Sequence, residues 1–563
     1  MRLTFNKDSP ILNGTYYDYI IVGAGSAGCV LANRMSEIAN QSVLLLEAGG
    51  EEPSLADVPA FIINTFGSKI DWKYTAEPQQ RSCGGQRCTF ARGKVLGGSS
   101  SLNAMMYNRG SPLDYDHWAE EGNYGWAYED VLPYFRLSED NLDADIANDT
   151  IHHGRGGYLS VSRFPYVEDT TKAIYEGLQE IGFKTVDFGS ERVLGVTYIQ
   201  ATQENGERMS TNRAFLKPIR NTRKNLNIAT SIRVLKVLIH SHNKTVYGVE
   251  YALENERHIT GIVYARKEVI LSAGAFNSPQ LLMLSGVGPN ETLQRLGIPV
   301  IQDLKVGYNL QDHYSLPGVL FHINSTQNIS DYNQKLMSDA HEYMQHPKMG
   351  LWTGISTAQV TANYQSKLVD KSIEFPDLQF YFLPASTCGA GINSIIYHSM
   401  ISFLPLILRP KSRGFVSINS TDPFSEPLIY TNYFNASEDI DTFLESYNVV
   451  TQIANTKSFK EAGITLDATF QPTREQIETG SNPFWKQPPR EFMYSMCHPA
   501  GTCKMGPHTD PNAVVDPELK VHGVKNLRVV DASIMPTIIS GNLNAAVIMI
   551  AEKAADLIKK SCD

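Results

Sequence analysis

Cysteine, clustered charge and long apolar runs are all scarce in this chain of 563 residues. Seven cysteines neither prove nor exclude disulfides. A net charge of −10 with no block of lysine or arginine argues against nucleic acid and against an anionic membrane surface. The longest apolar stretch, residues 545–558, is broken by Glu552, Lys553 and Asp556, so it reads as a packed helix rather than one of the roughly 20-residue spans a bilayer requires. There is no internal repeat and no low-complexity linker, and no spacing of His, Cys or carboxylates suggests a metal site. Ordinary hydrophobicity over this length allows two sizeable cores and points to a small-molecule partner, with a monomer and a homodimer equally compatible.

The first ten residues lack the apolar centre of a signal peptide. Acceptor sequons nevertheless occur at Asn13, Asn40, Asn148, Asn243, Asn290, Asn324, Asn328, Asn419 and Asn435, about twice the number chance gives in such a composition. The excess favours a secreted, N-glycosylated protein read without its leader. Cys83 and Cys88 bracket a Gly-Gly turn and are either two free thiols or a small bridge stabilising by roughly 2 kcal/mol.

Residues 18–49, DYIIVGAGSAGCVLANRMSEIANQSVLLLEAG, read as strand, glycine turn, small-residue helix and second strand ending in an acid. Gly23 permits a sharp turn after the strand 18–22, Gly25 lets backbone approach a pyrophosphate, and Gly28 lets the helix lie close to the sheet. The helix opening at Ser26 offers unpaired N–H groups and a positive dipole end to that pyrophosphate. Glu47, after the strand 43–46, stands where a carboxylate accepts hydrogen bonds from an adenosine ribose. The pattern predicts a dinucleotide site without separating NAD from FAD.

Residues 225–275 alternate β-branched residues with turn signals and then turn helical at 278–285, which again reads as nucleotide-domain material. Between about 312 and 509 the pattern changes to long aromatic strands, such as the one containing Leu378-Gln379-Phe380-Tyr381-Phe382, with helices such as 439–454. The fold class predicted is α/β: a Rossmann-like domain with a parallel sheet, plus a substrate domain of antiparallel sheet and helices. The boundaries expected are 1–153, 205–311 and 510–563 for the first and 154–204 with 312–509 for the second.

Three further stretches resemble the glucose–methanol–choline oxidoreductases, a family of FAD enzymes. They are RGKVLGGSSSLN at 92–103, GAFNSPQLLMLSGVG at 274–288, and HPAGTCKMG at 498–506 followed by DAS at 531–533 and GNLN at 541–544. The resemblance implies FAD and runs through nearly the whole chain, whose texture is most similar to the insect members. It extends the cofactor set to Ala27, Ala48, Arg92, Gly98, Ser99, Asn103, Val234, Asp531, Ala532 and Asn544. The bare backbone at Gly97 and Gly98 suits a flat ring and a phosphate, and Asn103 offers flavin edge atoms both donor and acceptor. Relatives that bind flavin covalently carry a histidine in this loop, where Leu102 stands here, so non-covalent FAD is expected. The last helix, starting near Asn544, would direct about half a positive charge at the flavin pyrimidine edge.

In this family the catalytic imidazole corresponds to His498, and Asn542 occupies the place where many relatives carry a second histidine. Histidine suits removal of an alcohol proton, while asparagine can hold the oxygen but cannot exchange a proton at neutral pH. A surface or satisfied core role is expected for His152, His153, His240 and His313, the last in a domain-junction motif. Cys497 and Cys503 are expected to be buried thiols or a structural bridge. The reaction implied is oxidation of an alcohol to an aldehyde, with electrons passed to oxygen or a quinone. The alternatives are a sugar dehydrogenase forming a lactone, a flavin-containing lyase acting on cyanohydrins, or a flavin-loaded binding protein.

Overall fold

The computed structural model describes residues 13–82, 85, 87–315, 319–324, 332–385, 399–467, 473–479, 481 and 495–561. One sheet of seven strands runs Leu226–Ala229, Val43–Leu46, Tyr16–Val22, Thr260–Leu271, Thr245–Leu253, Ile232–His240, with Leu527–Val529 pairing to Thr260–Leu271. The pairs around Tyr16–Val22 are parallel and buried, which explains the unbroken apolar runs IIV and VLLL. Thr245–Leu253 and Ile232–His240 form an antiparallel meander on Thr260–Leu271, while Leu527–Val529 joins that strand in parallel, so the sheet is parallel-rich rather than purely parallel.

Register aligns Val22 with Leu46 and with Leu271, and Leu271 with Val529. Gly23, Glu47, Ser272 and Asp531 therefore follow the ends of neighbouring strands along one carboxyl edge, where open α/β sheets bind ligands.

The second sheet is antiparallel throughout, in the order Ile464–Asp467, Val319–Ile323, Met400–Ile407, Leu378–Ala385, Val360–Tyr364, Gly195–Tyr198. Period-two alternation divides its aromatic strand: Phe380 and Phe382 enter a core with Ile174 and Leu178 of the helix Asp169–Glu180, while Tyr381 belongs to a separate cluster with Met105 and Met106. The next residues, Leu383 and Pro384, line the cavity.

Two helices differ from their sequence expectation. The helix expected from 278 begins at Gly274 and runs to Leu284, with Pro279 inside it. Proline cannot donate to the Ala275 carbonyl, and the Thr502 hydroxyl donates to that oxygen at 2.7 Å instead. The helix expected over 439–454 is two, Ser437–Glu445 and Tyr447–Ile453, divided at Ser446, whose hydroxyl donates to the Phe443 carbonyl at 2.6 Å. Cys503 and Cys497 are free thiols, the former fully buried. Cys88 is buried, and Cys83 lies outside the described residues.

Candidate active site

A cavity of about 590 Å³ opens at the carboxyl edge of the first sheet and continues to the face of the second. Every cofactor and catalytic residue expected from the sequence lines it except Gly28. Gly28 serves from behind: a Cβ there would stand 1.9 Å from the Gly23 carbonyl oxygen, so only glycine lets the helix Ser26–Met35 lie this close to the strand. Gly23 itself adopts φ +97°, which its sharp turn requires.

Two helix N-termini meet in this cavity. The helix Ser26–Met35 and the last helix, Leu543–Lys560, both start without a side-chain cap, so their first N–H groups are left for a ligand. The Ser26 hydroxyl donates to Asn544 Oδ1 at 2.7 Å, fastening the two starts together. Nearby, Glu47 accepts the Ala24 and Gly49 N–H groups, each at 2.8 Å. Burial pushes its carboxyl up to about 7 against those two bonds, and each oxygen keeps a lone pair for a ribose hydroxyl.

The loop after Arg92 lies against the first of these helix starts, and a Cβ on Gly98 would stand 2.6 Å from Gly25 Cα. Arg92 is held by the Cys497 carbonyl and, at 2.6 Å, the Ser99 hydroxyl; burial lowers its pKa. Asn103 departs from expectation. Its Oδ1 already accepts Met105 N–H at 3.0 Å and Arg208 Nη1 at 2.8 Å, so a ligand is offered the amide donor rather than both functions. Asp531 is likewise committed, accepting Gly274 N–H at 2.8 Å, the Ser278 hydroxyl at 2.6 Å and Ser533 N–H at 2.8 Å. It binds a strand end to a helix start, and what it presents to the cavity is its position in the chain. This cradle of bare backbone, two uncapped helix ends and a buried acid fits a dinucleotide such as FAD.

At the far end, His498 Nε2 faces Asn542 Nδ2 at 3.5 Å, and Asn542 Oδ1 accepts the Tyr381 hydroxyl at 2.9 Å. The His498 backbone N–H donates to Asp312 at 2.8 Å, which also accepts from Tyr433 and Ser495. His313, expected to be a core histidine in a junction motif, has its Nδ1 3.0 Å from His498 Nδ1. The motif NLQDH thus contributes twice to the site, through Asp312 and His313. Sequence reasoning passed over this, because position in a motif does not reveal which imidazole its ring will touch. Tyr381 was visible only as one aromatic of a strand.

Burial holds His498 well below its ordinary 6.5. The neutral, proton-accepting form therefore dominates at neutral pH, and activity falls only as pH drops through the depressed value. The acid limb of kcat/KM is expected to have its midpoint below 6.5, with a plateau above; a pH–rate profile of the free enzyme checks this, and a midpoint above about 7 would contradict it.

Beyond the imidazole the second sheet supplies Leu320, Leu383, Met400 and Leu404, joined by Ile62, Phe66 and Ile355 from neighbouring segments. Among the described residues, Ser402 is the polar side chain of that wall.

A dinucleotide cradle on a parallel-rich sheet, facing an imidazole and an amide under an antiparallel sheet, fits an oxidoreductase that works with a bound dinucleotide. The family models for GMC oxidoreductase match residues 17–315 and 410–551. The chain is 42% identical over 554 residues to a glucose dehydrogenase (FAD, quinone) of Drosophila melanogaster, covering 97% of this chain and 87% of that protein. It is 39% identical over 578 residues to an ecdysone oxidase of Bombyx mori, covering 99% and 84%. Among solved structures, pyridoxine 4-oxidase from Mesorbium loti superposes with a TM-score of 0.81 at 29% identity, over 97% of this chain and 99% of that one. The protein belongs to the GMC oxidoreductase family and is an FAD-dependent oxidoreductase acting on CH–OH donors.

Proposed function

We propose that this enzyme oxidises a primary alcohol carried on an apolar body to the aldehyde. The observation that carries the reading is the substrate wall, where among the described residues apolar side chains line the cavity with Ser402 as the polar exception. A sugar would set several hydroxyls against that wall without partners, at about 1–3 kcal/mol for each one buried unpaired. An alkyl or ring body instead gains about 0.8 kcal/mol per buried methylene. Catalysis rests on His498, whose Nε2 takes the hydroxyl proton, while the Asn542 amide holds the alcohol oxygen in line. Bound FAD supplies the hydride acceptor. Gly25, Ser26, Glu47, Arg92, Ser99, Asn103 and Asn544 are the residues that would hold it.

In a homologous series of linear primary alcohols, kcat/KM is expected to rise about fourfold per methylene until the cavity is filled, with glucose far below the longer members. Anaerobic bleaching of the flavin measures this, and equal bleaching by glucose would sink the reading. Admission of air, with assay for peroxide, then separates oxygen from a quinone as acceptor.

FAD is held without a covalent bond in this proposal, since Leu102 lines the cavity where a bonding histidine stands in covalent relatives and has no atom able to form that link. Acid precipitation is expected to leave the yellow colour in the supernatant; colour kept in the pellet would contradict it. Secretion with N-glycosylation is supported by the exposure of Asn13, Asn40, Asn148, Asn243, Asn290, Asn324, Asn419 and Asn435; Asn328 lies outside the described residues.

A further inference from the structure

Neutral histidine places its single ring hydrogen on either nitrogen, and a proton acceptor facing substrate is useless with the hydrogen on the wrong one. The contacts around His498 form one chain with a donor at one end and an acceptor at the other. At the acceptor end, the Leu408 carbonyl lies 3.2 Å from His313 Nε2. A carbonyl only accepts; the Ile539 carbonyl also lies beside this ring, but the Leu408 contact is the one with hydrogen-bond geometry, so His313 carries its hydrogen on Nε2 and has a lone pair on Nδ1. That lone pair faces His498 Nδ1 at 3.0 Å, with the two rings nearly perpendicular at 88°. His498 must therefore donate from Nδ1, which leaves the lone pair on Nε2. At the other end the Tyr381 hydroxyl donates to Asn542 Oδ1, turning the amide so that Nδ2, a donor, faces His498 Nε2.

The opposite arrangement fails at several contacts at once. A hydrogen on His498 Nε2 would meet the donor Nδ2 of Asn542 and oppose two lone pairs at the Nδ1 to Nδ1 contact. Reversing His313 to repair that contact would turn a lone pair toward the Leu408 carbonyl. An isolated neutral histidine prefers its hydrogen on Nε2, so the surroundings must override an intrinsic bias.

We propose that His313 is a positioning residue that fixes the tautomer of His498, so that Nε2, facing Asn542 and the cavity, is unprotonated before any alcohol arrives. This rests on His498 being the base. In the step it serves, the alcohol O–H bond breaks and an Nε2–H bond forms, with the electron pair staying on oxygen. Bound FAD would supply the acceptor for the hydride that leaves carbon as its bond to oxygen becomes double. The imidazolium produced shares its charge through Nδ1–H with the His313 lone pair, and His313 itself takes no proton.

The test compares three enzymes as FAD-loaded holoenzymes. His313→Leu removes the acceptor and is expected to slow flavin reduction by about a hundredfold or more, the scale that misplacing a catalytic proton costs. His313→Asn puts an oxygen near the place of Nδ1 and is expected to restore the rate to within about tenfold of the unmodified enzyme. A purely space-filling role would predict the reverse order. Independently of rate, nitrogen NMR of enzyme labelled in histidine is expected to show hydrogen on Nδ1 of His498 and on Nε2 of His313, assigned by loss of each signal in the His498→Ala and His313→Asn variants. His498 carrying its hydrogen on Nε2 in the unmodified enzyme overturns the proposal, even if His313→Leu does not fold. If His498→Ala reduces normally, the base assignment fails. If that variant is slow while His313→Leu is fast, the base stands and the positioning role falls.

Discussion

His498→Ala is expected to bind FAD with an unchanged visible spectrum and to reduce it with alcohol at least about a hundredfold more slowly. The effect should be large because the candidate alternatives nearby cannot take over. Asn542 does not exchange protons at neutral pH, His313 lies behind the His498 ring, and burial pushes His313 down to about 4 with its Nε2 engaged by Leu408. Retained flavin is also expected, since the ring of His498 makes its contacts with His313 and Asn542 and the cradle of Gly25, Glu47 and Asn544 is elsewhere. Anaerobic stopped-flow reduction is the measurement. A rate near that of the unmodified enzyme would take the proton step away from this residue.

Gly25→Ala and Gly28→Ala are expected to separate two roles that one glycine motif combines. Gly25 has φ −79° and ψ −163°, which alanine adopts freely, and an added Cβ has its nearest neighbour, the Ser272 carbonyl oxygen, 4.0 Å away. The methyl group enters the cavity, so the apoprotein should melt as the unmodified apoprotein does while FAD binds at least about a hundredfold more weakly. At Gly28 the helix gains about 1 kcal/mol of propensity from alanine, but a Cβ 1.9 Å from the Gly23 oxygen forces helix and strand apart, and overpacking of this kind typically costs about 1–3 kcal/mol. The clash wins, and this variant should lose thermal stability even without cofactor. Calorimetry of both apoproteins with flavin titration decides the matter; normal FAD affinity in Gly25→Ala would remove the pyrophosphate from that turn.

How much was legible follows from what each signal encodes. The first βαβ unit was readable because its glycines, apolar runs and terminal acid are local requirements of one turn and two strands, and residues 43–46 form the strand expected. The helix start at Gly274 was hidden by Pro279, whose missing donor reads locally as a break; the Thr502 hydroxyl that satisfies Ala275 lies 227 positions away. Asn103 was read as a free amide because Arg208, which occupies its oxygen, is 105 residues distant. The parallel strands gave their type away by continuous burial, whereas the antiparallel meander beside them is a matter of pairing that alternation alone leaves open.

The chain by itself determined a dinucleotide turn, the glycine positions that permit it, the family pattern and the imidazole at 498, because backbone freedom and residue chemistry are properties of each position. Only the folded arrangement decided that His313 abuts His498, that Tyr381 orients Asn542, and that aliphatic side chains from separate strands form one wall. Hydrogen-bond direction and cavity polarity belong to groups brought together across hundreds of residues, and neither exists until the two sheets close on each other.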